Sequence, residues 1–153
     1  MIDGKSILTV ILARSGSKRL PNKNILDLAG KPLIAWSIDS GLKSKYIDKV
    51  IVSSDSDEIL DISKKYGADI IKRPSILAND TASSFDAVKH TIENIKDVLD
   101  YVVLLQPTSP LRNNKHIDEA FELLNKNRAD AIISVTEVDH SPLWSSTLPK
   151  DGS

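Results

Sequence analysis

The chain has 153 residues, 41% of them hydrophobic and 27% charged, with a net charge of −1; this describes one soluble globular domain and excludes a general nucleic-acid or membrane-surface binder. The absence of cysteine excludes disulfides, thiolate catalysis and cysteine-based metal sites, and fits a cytoplasmic protein. The N-terminus shows no signal-peptide pattern, and no apolar run approaches the ~20 residues needed to cross a bilayer.

Residues 7–12 form an unbroken apolar run, β-branched at several positions, which predicts a strand buried on both faces of a parallel sheet. A small, basic loop follows. Arg14, Lys18, Arg19 and Lys23 fall within ten residues with no acid among them. Gly30 punctuates the chain, Pro32 suits a first helical turn, and the apolar spacing from 33 to 42 predicts a helix packed hard against the sheet. Residues 49–54 read as a second strand. A helix then opens at 55–57 and stops at Gly67. Residues 68–71 read as a third short strand and 73–80 as irregular. Residues 81–84 cap a helix whose apolar positions, Phe85, Val88, Ile92, Ile95 and Leu99, share one face, with Asp86 as a capping-box acid. Residues 101–105 read as a fourth strand as apolar as the first, and 106–112 as a rigid loop with two prolines bracketing two hydroxyls. A helix at 115–125 and a fifth strand at 131–136 complete the pattern, followed by a polar, turn-rich tail to residue 153.

Strands alternating with helices imply a three-layer α/β/α sandwich on a mostly parallel sheet, whose ligands bind outside the carboxyl ends of the strands. The loops at those ends, 13–24, 53–57, 73–84 and 106–112, hold most of the unusual residues. The basic loop matches neither a Walker A nor a G-x-G-x-x-G motif, which disfavours P-loop hydrolysis and dinucleotide redox chemistry. It reads either as a triphosphate cradle or as a solvated basic turn. As a cradle, Arg14 and Lys23 neutralise charge while the backbone of Ser15, Gly16 and Ser17 donates hydrogen bonds. Ser83 and Ser84 read as plain helix caps in preference to ligand contacts. Asp55 and Asp57 form a D-x-D that could hold Mg²⁺, although capping the following helix is the better reading. His90 and His116 fall on helices as surface residues, and no Ser-His-Asp or zinc pattern emerges.

Taken in order, several segments resemble one known family. These are Leu12-Ala-Arg-Ser-Gly-Ser-Lys-Arg-Leu-Pro-Asn-Lys-Asn24, Ala29-Gly-Lys-Pro-Leu-Ile-Ala-Trp36, Val52-Ser-Ser-Asp55, Arg73-Pro74 with Leu77-Ala-Asn-Asp-Thr-Ala-Ser-Ser84, Leu104-Leu-Gln-Pro-Thr-Ser-Pro-Leu-Arg112, Ser134-Val-Thr-Glu-Val138 and His140-Ser-Pro-Leu-Trp144. Together they resemble the CMP-N-acylneuraminate synthetases. The resemblance implies a Rossmann-like fold of the nucleotide-diphospho-sugar transferase type. It implies that CTP and a sialic acid give CMP-N-acylneuraminate and diphosphate, with Mg²⁺. The rival sugars are other nonulosonic acids, namely legionaminic acid, pseudaminic acid and KDO. By resemblance, Ala13 to Ser17, Arg14 and Lys23 above all, face the phosphates, and Arg14 and Lys23 are the catalytic cations. Asn24 faces the ribose region, Arg73, Ala82 and Ser84 hold the cytidine portion, and Gln106 faces the sugar acid. Family members are longer and dimeric, so residues 1–153 are expected to be a nucleotide-binding domain lacking the family's C-terminal part. No metal ligand is transferred to this chain, and a non-catalytic nucleotide-binding module is the alternative.

Overall fold

The computed structural model describes residues 4–79 and 81–141. Four parallel strands make the central sheet: β1 (Ile7–Leu12), β4 (Lys49–Ser54), β5 (Asp69–Lys72) and β6 (Tyr101–Leu105), in the order β5-β4-β1-β6. In register, Val10 lies between Ile51 and Leu104. Side chains alternate across a strand, so β1 feeds two cores at once. Ile7 and Ile11 pack with Ile34, Ile38, Ile59, Ile117 and Phe121 from three helices, α1 (Leu33–Leu42), α2 (Asp57–Lys65) and α4 (Asn114–Asn127). Leu8 and Val10 face the other way, with Val88, Ile95 and Leu99 against them from α3 (Ser84–Glu93) and the turn that follows it. The result is the expected α/β/α sandwich. Each fully buried aliphatic side chain contributes about 1.5–3 kcal/mol relative to exposure, so the sheet is fixed by its core and the strand-end loops are left to carry chemistry.

Four expectations are corrected. Residues 131–136 form no strand, and Ile133 and Val135 are 82% and 89% exposed. A strand exists only through its neighbour's hydrogen bonds, and among the described residues β6 has no strand on its outer side. The helix predicted across the 85–99 face ends at Glu93, and Phe85 is 74% exposed. Ile95 and Leu99 still pack on the sheet, but from a turn. The fourth strand is less buried than the first. Val102 and Leu104 are partly exposed because, among the described residues, α3 is the helix on that face, and it lies against β1. Pro32 is not inside a helix. It ends a two-stranded hairpin of β2 (Asp27–Leu28) and β3 (Lys31–Pro32), turned by Ala29 and Gly30 at φ 55° and 92°, the backbone a two-residue hairpin of this hand requires. Trp36 Nε1 donates to the Leu28 carbonyl at 3.0 Å and ties this hairpin to α1. Asp80 and the tail beyond residue 141, with the Pro142-Leu-Trp144 part of the last motif, lie outside the described residues.

Candidate nucleotide site

The basic loop is pinned at three points. Where it leaves β1, the buried Ala13 donates its amide to the Ser53 carbonyl at 3.1 Å. One residue past Arg14, Asp55 grips Ser15 through both carboxylate oxygens: Ser15 N donates to Oδ1 at 3.0 Å and the Ser15 hydroxyl to Oδ2 at 2.6 Å. At the far end the buried Asn24 donates its amide group to the Arg14 carbonyl at 3.1 Å, closing the loop on itself. Asn22, at φ 53°, turns the chain into the short helical turn Lys23–Ile25 that carries Lys23; asparagine tolerates that left-handed backbone better than most residues.

Arg73 enters from the end of β5, its amide donating to the Ser54 carbonyl at 2.7 Å. Only 5% of its surface is exposed, and among the described residues its Nε has no hydrogen-bond partner. Burial pulls the guanidinium below its ordinary value, Asp55 opposes that shift, and Arg14 adds to it. Arg73 is thus a desolvated cation with unmet hydrogen-bonding capacity facing another cation, an arrangement that an anionic or acceptor-rich ligand would complete. Burial raises the Asp55 carboxyl, but the hydroxyl and amide of Ser15, with the charge of Arg73, outweigh it and hold it below the usual carboxylate range.

Two further loops close the site. Asn79 Oδ1 accepts from the amide of Thr81 at 3.0 Å, the hydroxyl of Thr81 at 2.9 Å and the amide of Ala82 at 2.7 Å. This fixes the approach to α3, which Ser83 caps by accepting from the Asp86 amide at 3.0 Å. On the opposite side, the Gln106 carbonyl accepts from the Ser37 hydroxyl at 3.2 Å and from Arg112 Nη2 at 3.2 Å.

These loops enclose a cavity of about 630 Å³ at the carboxyl ends of the strands. Of the residues predicted from sequence, Arg14, Ser17, Lys23 and Asn24 line it from the basic loop, and Arg73, Ala82, Ser84 and Gln106 from the other two. Ala13 does not line it, being a buried anchor. Ser15 and Gly16 instead line a neighbouring cavity of about 550 Å³ that shares Arg14, Ser17 and Asn79 with the first. Lys18 and Arg19, read from sequence only as part of the basic cluster, line the main cavity too.

Sequence reasoning missed three residues. Asn79 sits in a stretch with turn chemistry, and an Asx residue two or three places before structured backbone was the available signal. Arg112 closes the motif 104–112 but carried no assigned role. Asp55 was read as a cap. Ser56 caps α2 instead, accepting from the Ile59 amide, while Asp57 lies in the first turn and pairs with Lys72 at 2.5 Å. His116 also has a structural task, completing a capping box with Asn113.

The D-x-D does not fit a divalent cation. Both oxygens of Asp55 are engaged by Ser15, Asp57 pairs with Lys72, and among the described residues no group of three or more His, Asp or Glu could hold a metal ion. No step is therefore derived through a metal. Among the described residues no helix is long and apolar enough to cross a membrane.

Comparison with known proteins shows the family and the fold. Residues 8–147 match the family described as Cytidylyltransferase. The N-acylneuraminate cytidylyltransferase of Escherichia coli O18:K1:H7 is 46% identical over 131 residues, covering 85% of this chain and 31% of that protein. The pseudaminic acid cytidylyltransferase of Campylobacter jejuni serotype O:23/36 is 40% identical over 137 residues, covering 87% of this chain and 59% of that protein. This chain therefore spans less than two thirds of the length of these curated relatives. Among solved structures, CMP:2-keto-3-deoxy-manno-octonic acid synthetase complexed with CTP superposes with a TM-score of 0.70 at 25% identity, covering 82% of this chain and 49% of that one.

Proposed function

Because the chain belongs to the cytidylyltransferase family, matched over residues 8–147, we propose that its strand-end cavity binds CTP and that the protein activates a nonulosonic acid as its CMP derivative. The observation that carries this reading is the gathering of Arg14, Lys23, Asn24, Arg73, Ser84 and Gln106 around one cavity of about 630 Å³, drawn from three loops far apart in sequence.

In the proposed reaction the sugar's anomeric hydroxyl attacks the α-phosphorus of CTP. A new O–P bond forms, the bond to the β-phosphate breaks, pyrophosphate leaves with the electron pair, and the hydroxyl proton passes to water. Little covalent chemistry falls to the protein, so catalysis rests on positioning and on stabilising charge. Arg14 and Lys23 meet the triphosphate and the charge that builds on the leaving pyrophosphate, where charge-assisted hydrogen bonds are strongest. Asn24 faces the ribose. Arg73, Ala82 and Ser84 hold the cytidine portion, and Gln106 faces the sugar acid. The family's general use of Mg²⁺ is adopted as an assay condition only.

The sugar is proposed at two levels. A sialic acid is favoured by the 46% identical relative, and pseudaminic acid by the 40% identical one. Pyrophosphate release on mixing the chain with CTP, Mg²⁺ and each of a panel of nonulosonic acids is the test. Release with one or more of them is the expected result. Binding of CTP without release from any sugar would leave a nucleotide-binding module and refute the transfer reaction for this chain.

A further inference from the structure

Asp55 is placed oddly for a triphosphate site. It is an ionised carboxylate next to the basic loop, and by simple Coulomb repulsion it should weaken the binding of an anion. It does not cap α2, since Ser56 does, and its geometry is not that of a metal ligand, since both oxygens accept from Ser15, at 3.0 and 2.6 Å. That two-point grip falls immediately after Arg14, whose own carbonyl is held by Asn24. The Arg14 peptide is therefore fastened on both sides, from the end of β4 and from the end of its own loop. Ser15 is also the acceptor for the Ser17 amide, at 2.9 Å, so the grip extends into the next turn. Arg14 and Arg73 both line the cavity and repel one another, and the charge of Asp55 offsets that repulsion at Arg73.

Resting on the nucleotide reading above, we propose that Asp55 is a positioning residue for the triphosphate: it holds Ser15, and through it Arg14, in the ligand-ready loop conformation before the nucleotide arrives. Holding the loop in advance removes the ordering cost from the binding step. The sign of the effect separates this role from plain electrostatics. Repulsion alone predicts that neutralising Asp55 tightens binding. Positioning predicts that it loosens binding, because Asn replaces the two charge-assisted hydrogen bonds from Ser15 with weaker neutral ones.

The test is calorimetric titration of the full 153-residue chain with CTP and, separately, with inorganic triphosphate, each with and without Mg²⁺. Asp55→Asn is expected to weaken both ligands by roughly ten- to hundredfold, on the scale of a lost hydrogen-bonded charge. Ser15→Ala reaches the same contact from the other side if Asp55→Asn folds poorly, and should weaken both ligands several-fold; the double variant should lose no more than Asp55→Asn alone. Asp57→Asn, two residues on and paired with Lys72, should bind as the parent does. Unchanged or tighter binding by Asp55→Asn, or a loss seen only with Mg²⁺, overturns the positioning role. A parent chain that binds inorganic triphosphate as tightly as CTP, while Asp55→Asn still weakens both, overturns the cytidine reading and keeps this one. A parent chain that binds no triphosphate overturns both.

Discussion

Arg112 Nη2 donates to the Ser37 hydroxyl at 2.9 Å, joining residues 75 apart in sequence. The same Nη2 reaches the Gln106 carbonyl, the Ser37 hydroxyl donates to that carbonyl as well, and the Ser40 hydroxyl donates to the Arg112 carbonyl at 2.8 Å. The loop after β6 is thereby clamped to α1, and Gln106 is presented from a fixed backbone.

Removing that clamp should therefore be felt twice. Arg112→Ala strips a donor from Ser37 and from the Gln106 carbonyl, and a broken partly buried hydrogen bond costs about 1–3 kcal/mol. Urea unfolding should show the unfolding free energy falling by that amount, as a lower midpoint with an unchanged slope. In a turnover assay the loss should fall on the sugar's KM more than on that of CTP, since Gln106 is the residue proposed to face the sugar.

Gly41 tests the packing of α1 on the sheet. A Cβ there would lie 2.9 Å from Val50 Cγ2, and Val50 is buried. Intrinsic helix propensity predicts that Gly41→Ala stabilises by up to about 1 kcal/mol, whereas overpacking a rigid β-branched neighbour costs about 1–3 kcal/mol. The crowding should win, and thermal unfolding should show a lower Tm for the alanine variant.

Asp55 gives the chain an acid dependence of definite sign. Its folded carboxyl titrates below the unfolded one, so the unfolded state binds more protons and stability rises with pH across that interval. The contribution is complete above the ordinary carboxylate value of about 3.9, and it is lost as pH falls through the lower folded value. Asp100, held down by the amide and hydroxyl of Ser6, acts in the same direction. Unfolding curves taken from neutral pH downward should therefore be shallower in Asp55→Asn than in the parent, with the residual slope coming from Asp100 and the remaining acids.

Phe85 lies on the helix face expected in the core and is largely exposed, so Phe85→Ser should leave the unfolding free energy from urea curves within about 0.5 kcal/mol of the parent, as for an ordinary surface position. A loss of core size, about 3–5 kcal/mol, would restore the buried helical face predicted from sequence.

What was legible in the sequence follows the physics of each element. β1 and β4 were read correctly because a strand buried on both faces carries a mainly apolar, β-branched run, as at Val50 to Val52. The C-terminal end of α2 was marked by Gly67, which stops a helix for a reason local to itself, its backbone at φ 90°. Residues 131–136 have the composition of a strand, but pairing is a property of two segments, and one segment's composition cannot supply the partner. The site was half legible. Arg14, Lys23, Arg73 and Gln106 stand out by residue type at strand ends. The supports Asp55, Asn79 and Arg112 do not, because what they do depends on which backbone groups the fold brings within 3 Å. In Asp55-Ser56-Asp57 all three residues can cap, and only the geometry shows that the middle one does.

The central claim is that the cavity is a CTP site with its cations at the triphosphate. Calorimetric titration of the chain with CTP, UTP and ATP, repeated on Arg14→Glu and Lys23→Glu, tests it most directly. CTP should bind in preference to the other two, and each reversal should weaken it far more than a reversal at the exposed surface residue Lys64. Equal affinity for the three nucleotides, or reversals at Arg14 and Lys23 no worse than at Lys64, would contradict it.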